Sequence, residues 1–384
     1  MPHSRRIRIG YCIDSFGIGG TELNAVRTVE ALDLNRFEIT IFHLHEDGPL
    51  RARYEGLGVH LVHLPISRLY APRTAIQGLR LARILRKRGI QVVHTHDVYT
   101  NIFAVPWARM LGGCRVIASR RWLDAVPRPG LMPLNRWSYR LATRVLANCA
   151  MVARFLAEDE RVPPHKIIEI PNFLEERAFQ RVDPAARAVQ RRQWGIPEGA
   201  FVAGVVARLA PVKNHEILLR AAQRLDDDVH VVLVGDGPAR AALEALAREL
   251  GIQPRVHFIG QLVSPISLHQ FFDVSVLCSR SEGFPNSLIE ALAAQCPVVA
   301  TPVGGVTEII VDDESGLLVP VDDLDALAAR LQSLRRDPEL RGRLAGTGLC
   351  RVRAKYHQSA VIAQLASLYR ELAGNAAERE MVVR

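Results

Sequence analysis

The segment Ser281-Glu282-Gly283-Phe284-Pro285-Asn286-Ser287-Leu288-Ile289-Glu290 sets two carboxylates eight positions apart across a helix start. It follows an apolar run at 274–278, and the pattern turns helical near Asn286. Amides at the start of such a helix, from Asn286 to Ile289, lack intrahelical partners and favour phosphate oxygens. Glu290 is expected in the first helical turn, where a carboxylate suits the helix dipole. There it can accept hydrogen bonds from two ribose hydroxyls, as an acid does in dinucleotide sites. Read alone, Glu290 also suits a surface acid that complements the dipole. Glu282, just before Gly283, is expected on the loop. A second glycine-rich junction, Gly304-Gly305-Val306-Thr307-Glu308, follows the apolar run 298–300.

Three other strand exits carry chemistry. Arg208 and Lys213 stand five residues apart in a loop that opens a helix. A guanidinium fork and an ammonium point charge could converge on a diphosphate, although two exposed cations are common at a surface. A run at 90–94 exits into His94-Thr95-His96-Asp97, with two histidines at i and i+2. A histidine at a strand's carboxyl end suits catalysis or sugar binding; a surface or capping histidine is the plainer reading. A zinc site would need further ligands, and no His or Cys partners stand nearby. The first strand leads into Gly17-Ile18-Gly19-Gly20-Thr21-Glu22. Glycines there let a ligand approach the backbone, but a tight strand–helix turn accounts for them equally well. The full G-x-G-x-x-G spacing is missing, and no acid ends the second strand, as a dinucleotide site requires.

These loops need a frame, and the chain supplies one twice. Apolar runs at 7–13, 37–43, 59–64, 90–94, 116–118 and 144–147 alternate with helical patterns such as 21–32 and 75–88. A second series has strands at 201–206, 229–234, 256–259, 274–278 and 298–300, and helices at 214–225 and 239–250. Alternation of this kind predicts a parallel sheet with both faces covered, here in two doubly wound α/β domains. Ligands in such sheets bind at the carboxyl ends of strands. The expected domains are 1–170 and 171–357, linked near 170–182, with a final helix in 358–384 returning to the first domain.

Composition narrows the setting. The 384 residues are 48% apolar, enough for two packed cores. None of the six cysteines forms a C-x-x-C pair, and several lie in strand-like runs; both features suit a reducing compartment. The apolar run 7–13 is too short for a signal-peptide core, and no run reaches the length of a membrane span. A cytoplasmic protein is expected, with peripheral contact at the inner membrane face left open. Residues 1–170 carry 25 Lys+Arg against 14 Asp+Glu, and the remainder 24 against 26, so the positive charge lies in the first half. That half could face an anionic partner, or simply be a solvated arginine-rich surface.

The ordered motifs closely resemble the GT-B fold retaining glycosyltransferases of family 4, or group 1. They are G-G-T-E at 19–22, H-T-H at 94–96, I-P-N at 170–172, R-x-x-x-x-K at 208–213 and G-D-G-P at 235–238. The E-x7-E pair Glu282/Glu290, P-V-V-A-T-P-V-G-G at 297–305 and G-L-L-V at 316–319 complete the series. The resemblance implies two Rossmann-like domains facing each other across a cleft. The first would bind the acceptor and the second a nucleotide-diphosphate sugar as donor. It implies Arg208 and Lys213 on the diphosphate, Glu290 on the ribose, and Glu282 with Gly283, Phe284, Asn286 and Ser287 facing the transferred sugar. His96, or else His94, would contact that sugar near its anomeric carbon. Gly19 and Gly20 would approach the diphosphate and acceptor. His96, Glu282, Arg208 and Lys213 are thus the catalytic candidates, with no cofactor and no metal. The implied acceptor is a carbohydrate or lipid-linked molecule, in surface polysaccharide or glycolipid synthesis. The leaving phosphate would help take the acceptor proton on the same face.

The chain departs from the family pattern at Phe173, where glycine is frequent beside the hinge. The stretch 120–137, rich in Arg, Trp and Pro, fits no acceptor pattern. Trp122, Leu123, Leu131, Met132 and Trp137 in it could form a surface for a lipid-linked acceptor, and ordinary packing of a long loop and helix is the reading favoured here. A GT-B-type sugar-nucleotide 2-epimerase is the alternative enzyme, disfavoured by the G-G-T-E and R-x-x-x-x-K set. A nucleic-acid-binding protein lacks any recognisable motif, so no nucleic-acid partner is expected.

Overall fold

The computed structural model describes residues 6–123, 129–262 and 268–382. The chain divides into two compact units, 1–172 with 359–384, and 173–358. The first unit holds β1 (Ile7–Ile13), β2 (Phe37–His43), β3 (His60–His63), β4 (Val92–Thr95), β5 (Arg115–Arg120), β6 (Arg144–Ala147) and β7 (Ile167–Glu169). Their order in the sheet is β3-β2-β1-β4-β5-β6-β7. The second holds β8 (Phe201–Val206), β9 (Val229–Val234), β10 (Val256–Gly260), β11 (Val274–Leu277), β12 (Val298–Ala300) and β13 (Leu317–Leu318), ordered β10-β9-β8-β11-β12-β13. The named strands pair in parallel throughout, for example Ile9 with Val92 and Val274 with Ala203.

Both orders reverse beside the unit's first strand. In the first sheet, chain order runs outward from β1 through β2 and β3, then restarts on the other side at β4. In the second the same break falls between β8 and β11. Loops leaving two strands at such a break diverge to opposite faces and open a crevice at the carboxyl ends.

Burial explains why the strands were legible. Ile9, Ile41, Val92, Val93, Val116 and Ile117 are almost wholly enclosed, as strands covered on both faces require. In the second unit Ala203, Val231, Leu233, Leu218 and Leu331 share one core. The terminal helix Gln358–Val382 adds a buried tyrosine to the first core, where the Tyr369 and Tyr11 hydroxyls lie 2.5 Å apart. The link expected at 170–182 begins where the first sheet ends. Strand β7 ends at Glu169, the unit boundary falls after Asn172, and Phe173 is buried in the second unit. Five cysteines are buried and Cys350 is exposed; all six are free thiols. Among the described residues, no helix is long and apolar enough to cross a membrane.

Candidate functional site

In the second unit, the loop after β8 carries Arg208 and Lys213. Glycines hold that loop in place from below. At Gly235 (φ +142°) a Cβ would lie 1.9 Å from the Ala207 carbonyl oxygen, and at Gly237 it would lie 2.4 Å from that of Leu209. The G-D-G-P turn therefore acts as a backbone support, with Leu209 N–H donating to Asp236 O at 3.0 Å. Arg208 is exposed, and its side chain has no hydrogen-bond or ion-pair partner among the described residues.

Lys213 behaves differently. Its Nζ donates to Glu282 Oε1 at 2.6 Å, and Ser279 Oγ donates to the same oxygen at 2.6 Å. The side chains are 24% and 8% exposed, so this pair is largely shielded from water. The ammonium expected on a diphosphate and the carboxylate expected on the sugar thus hold each other. One of the three ammonium N–H bonds is used, which leaves donors for an anion. Asn214 (φ +52°) ends the loop, and its amide donates to Asp322 at 2.9 Å. Asp322 is also gripped by Arg280 at 2.7–3.1 Å, and Arg280 N–H donates to Val212 O. This triad ties the β8 exit to the β11 exit, and reading the sequence does not find it.

The loop after β11 lies against the glycine-rich junction after β12. At Gly304 (φ +56°) a Cβ would stand 1.9 Å from the Glu282 carbonyl oxygen, and Gly305 N–H donates to Gly283 O at 2.7 Å. The helix that follows, Asn286–Ala293, starts after Pro285 with no side-chain cap, and its Leu288 N–H donates to Pro285 O at 3.1 Å. Asn286 and Ser287 are half-buried at that end. Phe284 is buried and turns its ring edge to Tyr356 at 5.4 Å, so its backbone alone is left for a donor. Glu290 differs from expectation. It is the fifth helical residue, in the second turn, and 4% exposed. The helix begins later than a first-turn acid requires, because Pro285 is still extended (ψ 102°).

In the first unit the corresponding break lies between β1 and β4. Gly19 caps the helix Gly20–Ala31, and a Cβ on it would lie 2.4 Å from Glu22 Oε2. Glu22 folds back over the glycine, and burial raises its carboxyl above the usual range. Gly20 is exposed. His94 and His96 stack at 4.2 Å, yet only one of them is satisfied. His94 Nδ1 lies 2.7 Å from the Tyr369 hydroxyl and Nε2 2.9 Å from Ser119 Oγ. Neither nitrogen of His96 has a partner among the described residues, though the ring is 2% exposed. Burial, with His94 and Arg121 nearby, lowers the His96 pKa well below the ordinary value, so the ring is neutral. An unpaired buried imidazole calls for a partner from outside the chain. Asp97 takes no such role; it caps the helix Val98–Met110 through Thr100 N–H at 2.9 Å.

Two family models cover most of the chain. One, "Glycosyl transferases group 1", matches residues 186–348, and the other, "Glycosyltransferase Family 4", matches 18–177. This chain is a family 4, group 1 glycosyltransferase. It is 31% identical to the alpha-D-kanosaminyltransferase of Streptomyces kanamyceticus over 62% of its own length and 64% of that relative's. It thus spans just under two thirds of that relative. It is 24% identical to the N-acetyl-alpha-D-glucosaminyl L-malate synthase of Bacillus anthracis, over 78% and 80% of the two chains. Its GT-B fold matches the structure of Anabaena HepE solved with UDP-glucose, with a TM-score of 0.83 and 19% identity over 95% and 100% of the chains.

Three residues of this glycosyltransferase escape the sequence reading. Arg121, just past β5, is half-buried; burial lowers its guanidinium to about 10, and Nη1 donates to Asn172 Oδ1 at 2.8 Å. The strand-exit rule could have found it. Glu22 lies within G-G-T-E, where the motif alone gives it no role of its own. His215, two residues beyond Lys213, is 3% exposed with neither ring nitrogen partnered among the described residues. Burial, then Lys213, lowers it to about 4. Part of the stretch at 120–137 lies outside the described residues. Within the rest, Leu131 is buried beside Val98, with Trp122 and Met132 packed against them, so packing prevails; Trp137 is 45% exposed. Among the described residues, no group of three or more His, Cys, Asp or Glu is placed to hold a metal ion.

Proposed function

We propose that this glycosyltransferase moves a sugar from a nucleoside-diphosphate sugar to a carbohydrate or lipid-linked acceptor, with retention at the anomeric carbon. The observation that carries it is the β8/β11 break. There an unpaired Arg208, the Lys213–Glu282 pair and the uncapped helix start at Asn286 lie on adjoining loops, with Glu290 one turn further on. As the bond from anomeric carbon to phosphate loosens, charge grows on the leaving diphosphate. Arg208, Lys213 and the helix amides stabilise that charge, the main source of acceleration. Glu282 is then positioned by Lys213 and Ser279 to accept from a hydroxyl of the transferred sugar, and Glu290 accepts from the ribose. In the first unit, neutral His96 has both ring nitrogens available to a hydroxyl of a bound sugar, and the Gly19–Gly20 turn opens its helix beside the β1/β4 break. The leaving phosphate takes the acceptor proton, so no protein base is required.

A thermal-shift screen with UDP-, GDP-, ADP- and dTDP-sugars tests this. One family of donors is expected to raise Tm, since a ligand at about 100 times its Kd adds about 2.7 kcal/mol. If none shifts Tm, the donor assignment fails.

A lipid-linked acceptor finds support in the helix Pro72–Arg88. Its outer face exposes Ile76 (63%) and Leu79 (55%) among Arg73, Arg80, Arg83 and Lys87. A stripe of this kind suits a peripheral stay on an anionic, inner-face membrane from the cytoplasm. The protein is expected to co-sediment with vesicles containing phosphatidylglycerol but not with pure phosphatidylcholine, and Ile76→Ser with Leu79→Ser should release it. Equal sedimentation of the double variant would remove this reading.

A further inference from the structure

The second unit has a cavity at the end of its sheet opposite the donor loops. It has a volume of about 420 Å³, and its lining includes Arg181, Arg187, His269, Gln295, Arg341 and Gly346. Asp273 and Pro297, also in the wall, directly precede β11 and β12 and so mark the amino ends of those strands. The donor candidates lie past the carboxyl ends. Ala294 and Gln295 follow the helix Asn286–Ala293, so one short helix has the proposed donor site at its start and this cavity at its end.

The charge in the wall is one-sided. Three guanidiniums stand against one carboxylate; Asp273 is already shared by Arg187 at 2.8 Å and Arg191 at 2.9 Å, and Arg187, which also donates to the Gln270 and Phe272 carbonyls, keeps its Nη1 for an anion. Arg181 is exposed, and its side chain has no partner among the described residues. Arg341 gives one nitrogen to the carbonyls of Leu334 and Arg335 and keeps other N–H bonds. Such a cluster suits a phosphate.

A second observation points to a ligand. His269 is 0% exposed and lines the cavity; its Nδ1 lies 3.0 Å from Ser275 Oγ, while Nε2 has no partner among the described residues. Burial lowers it to about 3, so the ring is neutral and suits a hydroxyl better than a phosphate. The Gln295 side chain adds an amide at the wall, and Phe272 adds an apolar surface. At Gly342 and Gly346 an added Cβ would meet nothing within 4 Å, so the helix Pro338–Tyr356 leaves the space open.

We propose that this cavity binds a phosphorylated monosaccharide, its phosphate among Arg181, Arg187 and Arg341 and its hydroxyls on His269 and Gln295. The volume lies near the low end of the roughly 300–1,000 Å³ typical of small-molecule pockets, which suits one ring and a phosphate better than a nucleotide.

The test is calorimetric titration of the full chain with glucose 6-phosphate and, separately, inorganic phosphate. Saturable binding of glucose 6-phosphate is expected, tighter than that of phosphate. Arg181→Glu and Gly346→Phe should each weaken it by about tenfold or more, through charge and through filling. Neither position bears a contact that the fold needs. Lys213→Ala should leave it unchanged, which separates this cavity from the donor site. No saturable binding, binding unaffected by both cavity variants, loss in Lys213→Ala, or phosphate binding as tightly as the sugar phosphate would each overturn the proposal.

Discussion

Lys213→Ala is expected to slow sugar transfer by about 10²–10³-fold, the usual loss when one group stabilising developing charge is removed. The lysine reaches its place because the G-D-G-P turn holds the β8 exit from below and Asn214 anchors its far end through Asp322. The substitution has a second consequence that must be separated from the first. Glu282 is 8% exposed at its side chain and would lose its only cation among the described residues, and a lone buried carboxylate is costly. The single variant should therefore lose Tm as well as rate. Adding Glu282→Gln removes the unpaired charge while keeping an acceptor for Ser279. The double variant should regain most of the lost Tm and none of the lost rate, read by thermal melting and single-turnover transfer. Recovery of both together would mean that Lys213 serves only to fold the loop.

That pair also shows where reading the sequence stops. Arg208, Lys213, Glu282 and Glu290 could be picked out because each follows an apolar run, and parallel strands buried on both faces are such runs. Nine strand readings, β1, β2, β3, β6, β8, β9, β10, β11 and β12, fall within a residue of their observed bounds for that reason. Nothing in a local pattern says that Lys213 and Glu282, 69 residues apart, form an ion pair. Nor does it say that Tyr369, 275 residues from His94, occupies Nδ1 of that histidine. Yet this contact is what separates the two histidines: His94 is tied into the core and His96 is left with two idle nitrogens. The helix Val98–Met110 is concealed in the sequence by Pro106, which reads as a breaker in its interior. The helix Pro338–Tyr356 was hidden by three glycines, which lower helix propensity. Strand β13 is two residues long, too short for any alternation to register.

Glu290→Ala is expected to abolish the enzyme's preference for ribose over 2′-deoxyribose in its donor. A carboxylate accepting from a vicinal pair of hydroxyls makes charge-assisted bonds of about 1.5–3 kcal/mol, so removing one partner costs roughly 10- to 150-fold in affinity. Wild-type protein should bind the ribonucleoside diphosphate of the effective donor more tightly than its 2′-deoxy form by a factor in that range. In Glu290→Ala the two forms should bind equally: the ribonucleotide loses both hydroxyl bonds, and the deoxynucleotide loses the one from its remaining 3′ hydroxyl. The design matters because Glu290 is 4% exposed in the second turn of its helix, and truncating a buried side chain disturbs packing in any case. A packing defect would weaken both ligands alike and leave their ratio intact. Glu290→Gln keeps the volume and one acceptor oxygen, and should retain part of the discrimination. A ratio unchanged in Glu290→Ala would place the carboxylate outside the ribose contact, whatever had happened to the rate.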